Sequence, residues 1–186
     1  MAYLEQPITA EELYAALKSG GTNKTPGSEG ISREFDIWLW DNIRDDMFGV
    51  MNQVNIINSI TRRQQHGIIF SLPKDKGDMT SARYRPITLM NTDYKLLARI
   101  MGRRLTPVLE EQLELSLYSS VPGKSILEAV SVLRDVVAQA ELTRTSLCIL
   151  SLDFRSAFDC ISHRYSFQIL VGYDISAWFI DRIYSM

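Results

Sequence analysis

Apolar residues recur at helical spacing over most of the first 60 positions of the chain. An apolar face begins after a capping box at Thr9 and continues to Leu17, and Gly20-Gly21 ends this pattern. A loop with Pro26-Gly27 follows, and helical spacing resumes over residues 32–60. We therefore predict a short amphipathic helix, a turn, and one or two core-packed helices. The apolar positions of the second stretch include Phe35, Trp38, Leu39, Ile43, Met47, Val50, Met51 and Val54.

Two β-branched segments predict a hairpin over about residues 67–89. The first runs from Gly67 to Leu72 and the second from Tyr84 to Leu89. Asn91-Thr92 then begins a helix that continues through Arg104. One side of this helix is an apolar stripe predicted to be buried, and the other side is a basic row made of Lys95, Arg99 and Arg103.

The last third of the chain predicts helices around one buried strand. A capping box at Ser125 opens a helix to about Ala140, and the apolar run 146–154 predicts a strand that is covered on both faces. Two helical segments follow, at about 163–170 and 176–186. The order of elements predicts the α+β class, with a central strand whose sheet partners are not evident in the chain.

Composition limits the class of protein. The 186 residues are 46% hydrophobic, enough for one domain with a core. No apolar run approaches the roughly 18 residues of a membrane span, and the N-terminus lacks the features of a signal peptide. The two cysteines, Cys148 and Cys160, are too few for a disulfide scaffold. We expect no membrane partner and an intracellular location, cytoplasmic or nuclear.

The net charge of −2 hides an uneven distribution of charge. Residues 62–104 carry 10 basic and 3 acidic side chains, whereas residues 1–61 carry 4 and 9 and residues 105–186 carry 6 and 10. A basic block of this kind is typical of proteins that bind a polyanion. A solvated charged face is the alternative interpretation.

Asp153 follows the apolar residues of the predicted buried strand. A carboxylate in such a place costs desolvation free energy unless it is paired or binds a cation. Because Mg²⁺ prefers oxygen ligands, Asp153 is a candidate metal ligand. A capping or salt-bridged aspartate at a strand-to-helix turn is the alternative.

The residues around Asp153 resemble the first palm motif of reverse transcriptases, in the segment Leu150-Ser151-Leu152-Asp153-Phe154-Arg155-Ser156-Ala157-Phe158-Asp159. Further segments, in the expected order, are similar to motifs of the non-LTR (LINE-type) retrotransposon branch. They are the entry loop Thr25-Pro26-Gly27-Ser28-Glu29-Gly30-Ile31, the hairpin segments Leu72-Pro73-Lys74-Asp75-Lys76-Gly77 and Tyr84-Arg85-Pro86-Ile87-Thr88-Leu89, the helix 91–105, and the loop Val121-Pro122-Gly123-Lys124-Ser125-Ile126.

The resemblance implies a right-hand polymerase fold, with the fingers in residues 1–145 and an incomplete palm in 146–186. It also implies two Mg²⁺ ions in the complete domain, which catalyse nucleotidyl transfer by positioning and charge stabilisation. Asp153 would be the catalytic metal ligand, helped by the backbone carbonyl of Phe154. Phe158 would disfavour a ribose 2′-OH and so select deoxynucleotides.

The resemblance assigns the basic residues to two kinds of partner. Lys74 and Arg85 would bind the triphosphate of a deoxynucleoside triphosphate, because ammonium and guanidinium groups suit phosphate oxygens. The template-binding candidates are Lys76, Lys95, Arg99 and Lys124. The expected partners are therefore an RNA template, a DNA primer and deoxynucleoside triphosphates, while the oligomeric state stays undetermined.

The chain departs from the family pattern in three places. Glu29 replaces the usual aspartate of the entry loop, and Leu117-Tyr118-Ser119-Ser120 replaces the usual Gln-x-Gly-Phe. The second palm motif and the Asp-Asp motif are not found in the 186 residues. We therefore expect a polymerase fragment that is inactive alone. The alternatives are a non-catalytic retroelement-derived module that binds RNA or protein, and a chain that does not fold stably by itself.

Overall fold

The computed structural model describes residues 2–74, 84–113, 116–118, 123–154 and 160–186. Within these ranges the chain is mostly helical and contains one antiparallel hairpin, so the predicted mixture of helices with a hairpin is confirmed. After a 3-10 helix at Ala2–Glu5, the elements are α1 (Ala10–Lys18), α2 (Arg33–Trp38), α3 (Trp40–Ile57), α4 (Arg62–Gln65), β1 (Gly67–Pro73), β2 (Tyr84–Met90), α5 (Thr92–Glu110), α6 (Ile126–Thr143), α7 (His163–Gly172) and α8 (Ala177–Ser185).

The chain divides into two compact units. The first unit contains Met1–Leu105 and Ser176–Met186, and the second contains Thr106–Ile175. The two units are defined by the residues that pack together within each. The predicted boundary between fingers and palm, at residues 145 and 146, is a functional division and stays a prediction. Across the described ranges, no helix combines the length and apolar character that a membrane crossing requires.

The core of the first unit is built from the faces that helical spacing predicted. The Thr9 side chain accepts a hydrogen bond from the Glu12 amide at 3.1 Å and so caps α1, which buries Leu13, Ala16 and Leu17. On α5 four of the five apolar residues predicted to be buried, Leu96, Leu97, Ile100 and Met101, are buried, while the fifth, Leu105, is half-buried. The prediction of a continuous core face over residues 32–60 is only partly right: Met51 and Val54 are buried, but Phe35, Trp38 and Val50 are exposed.

Two arginines lie inside this core. Arg104 is 2% exposed, forms a two-pronged ion pair with Glu12 at 2.6 and 2.7 Å, and donates to the carbonyl oxygens of Leu4, Gln6 and Pro7. It therefore fixes the N-terminal segment to α5, because its hydrogen bonds to other described residues reach residues 4–12.

Arg182, on α8, is fully buried and donates to the Val54 carbonyl oxygen and to Asn55 Oδ1. Its guanidinium carbon lies 5.2 Å from the centre of the Trp178 ring, and burial lowers the pKa of its guanidinium to about 10. These contacts bind the C-terminal helix of the first unit to α3.

The predicted hairpin is confirmed. β1 and β2 pair antiparallel from Gly67 opposite Met90 to Pro73 opposite Tyr84. Residues 75–83, which join the two strands and include Lys76, lie outside the described residues.

The predicted strand at 146–154 is wrong. These residues have no regular secondary structure, and each of them is exposed. A strand is stabilised by hydrogen bonds to a neighbouring strand, and the sheet of the described residues contains β1 and β2 alone. The apolar run predicted burial from its composition, but composition does not supply the neighbour that would cover it.

Candidate nucleic-acid interface

A concave pocket in the first unit collects basic side chains from three parts of the chain. Its volume is about 400 Å³. The lining residues come from the loop after α1, from α2, from the end of β2 and from α5: Gly20, Gly21, Lys24, Thr25, Pro26, Arg33, Leu89, Thr92, Lys95 and Arg99. Four of them are cationic, and none of the described residues that line the pocket is acidic.

Two predicted template-binding residues, Lys95 and Arg99, lie in this pocket. They are separated by one helical turn on α5 and are half-buried. Lys95 Nζ donates to the Thr25 carbonyl oxygen at 3.2 Å, and an Arg99 guanidinium nitrogen donates to the Ala16 carbonyl oxygen at 2.8 Å. Two of the three residues of the predicted basic row are therefore brought against the end of α1 and the loop that follows, while Arg103 is exposed and does not line the pocket.

Sequence reasoning missed the two other cations, Lys24 and Arg33. Arg33 donates to the carbonyl oxygens of Leu17 and Lys18 at 3.0 and 3.1 Å, and a weaker ion pair joins it to Glu34 at 3.4 Å. Counting charges by segment did not single out these two residues, because they belong to the stretch 1–61, in which acidic side chains outnumber basic ones. The sequence offers no signal for their approach to α5, because more than 60 residues separate each of them from Lys95.

The pocket concentrates positive charge. Burial lowers the pKa of the Arg99 guanidinium, and the positive charges of Arg103 and Arg33 lower it further. The C-terminal carbonyl groups of α1 accept hydrogen bonds from Arg33 and Arg99 and offset part of this charge. The remaining positive field is suited to an anion.

Two glycines permit close approaches, Gly20 in the pocket and Gly27 in the entry loop. A Cβ atom at Gly20 would lie 2.7 Å from Arg33 Cδ and 3.1 Å from an Arg99 guanidinium nitrogen. A Cβ atom at Gly27 would lie 2.2 Å from Asn91 Oδ1 and 2.5 Å from the Asn91 amide nitrogen. Only a residue without a side chain permits these approaches.

Asn91 joins the entry loop to the beginning of α5. Its Oδ1 accepts from Ser28 Oγ at 3.3 Å and from the Glu29 amide at 3.4 Å, and its Nδ2 donates to the Arg63 carbonyl oxygen at 3.2 Å. The Thr92 amide donates to Glu29 Oε1 at 2.7 Å. Glu29, noted above as a departure from the family pattern, therefore places a carboxylate at the N-terminus of α5, where the helix dipole favours negative charge.

The predicted nucleotide-binding cations Lys74 and Arg85 are exposed at the far end of the hairpin. Arg85 pairs with Leu72, and Lys74 directly follows Pro73, the last residue of β1. Because side chains alternate between the faces of a strand, alternation continued one residue past Pro73 would place Lys74 on the face of Arg85.

The remaining predicted residues belong to the second unit. Lys124 is half-buried just before α6, and its Nζ lies 5.7 Å from the centre of the Tyr118 ring. Asp153 and Phe154 are exposed, and the Phe154 side chain is 83% exposed. Phe158 lies outside the described residues.

The described donor set fits part of a metal site. Asp153 offers an exposed carboxylate next to the Phe154 backbone carbonyl, which are oxygen ligands of the kind that Mg²⁺ prefers. Over the part of the chain that the structure describes, no group of three or more His, Cys, Asp or Glu side chains is placed to hold a metal ion. Asp153 would therefore be one ligand of a larger set.

Comparison with known proteins assigns the family. Residues 72–185 match the family model described as reverse transcriptase (RNA-dependent DNA polymerase). The chain is 34% identical over 184 residues to the transposon TX1 uncharacterized 149 kDa protein of Xenopus laevis. It is 28% identical over 161 residues to the retrovirus-related Pol polyprotein of the type-1 retrotransposable element R2 of Popillia japonica, and 23% identical over 161 residues to that of Nasonia vitripennis.

The chain belongs to the reverse transcriptase family, and its relatives are proteins of non-LTR retrotransposons. The resemblance predicted from the five motifs is thereby confirmed. The alignments include 98%, 85% and 87% of this chain but 14%, 21% and 15% of the three relatives, so the chain spans a small part of each. Domains of this family generally use divalent metal ions and act with a nucleic-acid template and nucleoside triphosphates.

Proposed function

We propose that this chain supplies the fingers (residues 1–145) and the beginning of the palm (146–186) of an RNA-directed DNA polymerase. The reaction is the template-directed transfer of deoxynucleotides to a DNA primer on an RNA template. The observation that carries the proposal is the family match over residues 72–185, which includes the hairpin cations, the basic helix α5 and Asp153.

Asp153 is the proposed metal ligand of the palm, with the Phe154 carbonyl beside it. Two Mg²⁺ ions, when bound, supply charge stabilisation to the phosphoryl group in transfer. Support for this role comes from the motif match and from the exposure of Asp153, which leaves its oxygens accessible. The other ligands of the pair would come from motifs that these 186 residues do not contain.

The proposed substrate contacts follow the motif positions. Lys74 and Arg85 bind the triphosphate, supported by their exposure at the far end of the hairpin, where Lys74 follows β1 and Arg85 lies on β2. The motif match alone assigns Phe158 the role of selecting against a ribose 2′-OH. Lys76, Lys95, Arg99 and Lys124 contact the phosphates of the template strand.

The proposal is tested by placing this segment in an R2-type polymerase. The matching 161 residues of the Popillia japonica polyprotein are replaced by this chain's segment, and DNA synthesis is measured on a primed RNA template with Mg²⁺. We expect primer extension, and we expect Asp153→Asn to lower it by at least about 100-fold, which corresponds to a loss of roughly 3 kcal/mol of transition-state stabilisation.

The matched control is Asp135→Asn, which removes an exposed carboxylate on α6 outside the motif. It should leave extension within about twofold of the unchanged chimera. Equal activity of Asp153→Asn and Asp135→Asn would contradict the metal-ligand role. A folded chimera without any extension, beside an active parent polymerase, would contradict the proposed function itself.

A second candidate function is binding of RNA without catalysis. The observation that favours it is the basic pocket, which is complete within the first unit, whereas Asp153 lies in the second. RNA binding by the 186-residue chain, together with an inactive chimera, would support this alternative.

A further inference from the structure

The basic pocket holds more positive charge than its surroundings balance. Lys24, Arg33, Lys95 and Arg99 line it, and Arg33 is joined to Glu34 at its edge. Within the described ranges, neither lysine forms an ion pair with a carboxylate. Like charges held this close repel one another, and a bound anion would relieve that repulsion.

The cations also have unused hydrogen-bond donors. Arg33 Nε is buried and has no hydrogen-bond partner among the described residues. Lys95 Nζ has three N–H donors and donates to one carbonyl group. The Arg99 guanidinium has five N–H donors, and within the described part of the chain it donates to one carbonyl group. The spare donors of the half-buried Lys95 and Arg99 therefore favour an oxygen-rich ligand in the pocket.

Gly20 and Gly21 let the backbone of the loop after α1 lie close to the cations of the pocket. Gly20 and Gly21 contribute no side chains to the pocket, and a Cβ atom at either would press on Arg33 or Lys24 at 2.7 or 2.8 Å. The loop that carries Lys24 is held to α5 by the Lys95–Thr25 bond. Arg33, Lys95 and Arg99 are therefore held by hydrogen bonds before any ligand arrives, which lowers the entropic cost of binding, whereas Lys24 is exposed on the loop.

We propose that this pocket binds one phosphate group of a nucleic-acid strand, through Lys24, Arg33, Lys95 and Arg99. The proposal rests on the proposed function, because that function supplies the nucleic-acid strand. It goes beyond that function by placing Lys24 and Arg33 in one phosphate site with Lys95 and Arg99. The phosphate belongs either to an internal phosphodiester or to a strand end.

The test uses the 186-residue chain and a single-stranded RNA of 12 nucleotides with a 5′-hydroxyl, followed by fluorescence anisotropy at 50 and 200 mM KCl. The variant Lys24→Gln/Lys95→Gln removes two cations and leaves the arginines that hold α1. We expect about 10-fold weaker binding at 50 mM KCl and a salt slope reduced by about 1 to 2.

The matched control Arg44→Gln/Arg62→Gln removes the same charge from exposed positions outside the pocket. It should weaken binding by less than about threefold. Equal losses in the two double variants would overturn the proposal, because binding would then follow net charge. In that case RNA binding itself would persist, and the proposed function would stand.

A second measurement does not depend on RNA or on the variants. Titration of the isotope-labelled chain with inorganic phosphate should shift the amide resonances of Gly20 and Gly21 saturably, and the absence of such shifts would overturn the site. Saturable shifts without any RNA binding would support the site and contradict the template role.

The same RNA with a 5′-phosphate then identifies the source: several-fold tighter binding indicates a strand end, and equal binding indicates an internal phosphodiester.

Discussion

At the scale of single residues, Asp36 is the carboxyl group whose ionisation the fold opposes most clearly. It lies on α2 and is 7% exposed. Burial, followed by the negative charges of Glu29 and Asp93, raises the pKa of its carboxyl to about 6 from the ordinary value of 3.8. Because the folded state favours the protonated form, the folded chain binds more protons than the unfolded chain between these two pKa values.

Stability should therefore fall as pH rises from about 4 to about 6 and stay level above that range. The loss attributable to Asp36 is roughly 1–3 kcal/mol. Asp36→Asn should remove this dependence and raise the free energy of unfolding at pH 7.5 by that amount, with little change at pH 4. Urea unfolding followed by tryptophan fluorescence reports on the first unit, because all three tryptophans, Trp38, Trp40 and Trp178, lie there.

Asp46→Asn is the control for the Asp36 prediction. Asp46 is exposed on α3, so its replacement should leave the pH dependence unchanged. A pH profile that is the same in Asp36→Asn and in the unchanged chain would contradict the assignment of this dependence to Asp36.

Gly27 is the residue that fixes the entry loop against Asn91. Gly27→Ala would introduce a methyl group 2.2 Å from Asn91 Oδ1, so the loop or the beginning of α5 must shift. We expect a loss of about 1–3 kcal/mol in the free energy of unfolding, as is usual for overpacking. Gly49→Ala is the matched control, because Gly49 lies within α3 and the added group would meet no atom within 4 Å apart from its chain neighbours and the backbone of its own helix.

The two glycine variants should change stability in opposite directions. Gly49→Ala should raise the free energy of unfolding by about 0.5–1 kcal/mol, since alanine favours a helix interior over glycine. Urea unfolding measures both. Similar stability changes in the two variants would show that the Gly27–Asn91 approach is not a constraint.

At the scale of elements, α5 connects the core with the candidate site. Leu96, Leu97 and Ile100 are buried on one side, while Lys95 and Arg99 line the pocket on another. Both sets could be predicted from the sequence, because helical periodicity determines which residues share a face. Lys24 and Arg33 could not, since their approach to α5 depends on a loop whose course is set by glycine contacts distant in sequence.

The predicted strand over residues 146–154 is absent from the structure. Its apolar residues predicted a covered strand, but strand formation depends on a neighbour that local composition does not specify. The hairpin was predictable because β1 and β2 are close in sequence and pair with each other. The prediction of secondary structure was therefore reliable where the partner is local or where one helix face meets the core.

At the scale of the whole molecule, the two units differ in how their helices are stabilised. α5 has 19 residues and buries six of them, whereas α6 has 18 residues and buries none of them. The exposed positions of α6 include large apolar side chains such as Ile126, Leu127 and Leu142. An isolated helix of this length is marginal in water, so α5 draws on tertiary packing that α6 lacks.

Hydrogen exchange should therefore separate the two helices. Interior amides of α5, such as Leu97 and Ile100, should exchange at least about 100-fold more slowly than Leu133 and Val136 of α6. The near-equal lengths of the helices make this an internally controlled comparison, measured by mass spectrometry or NMR on the 186-residue chain. Equal protection would mean that packing holds α6 as strongly as it holds α5. It would contradict the conclusion that the apolar face of α6 is exposed in solution.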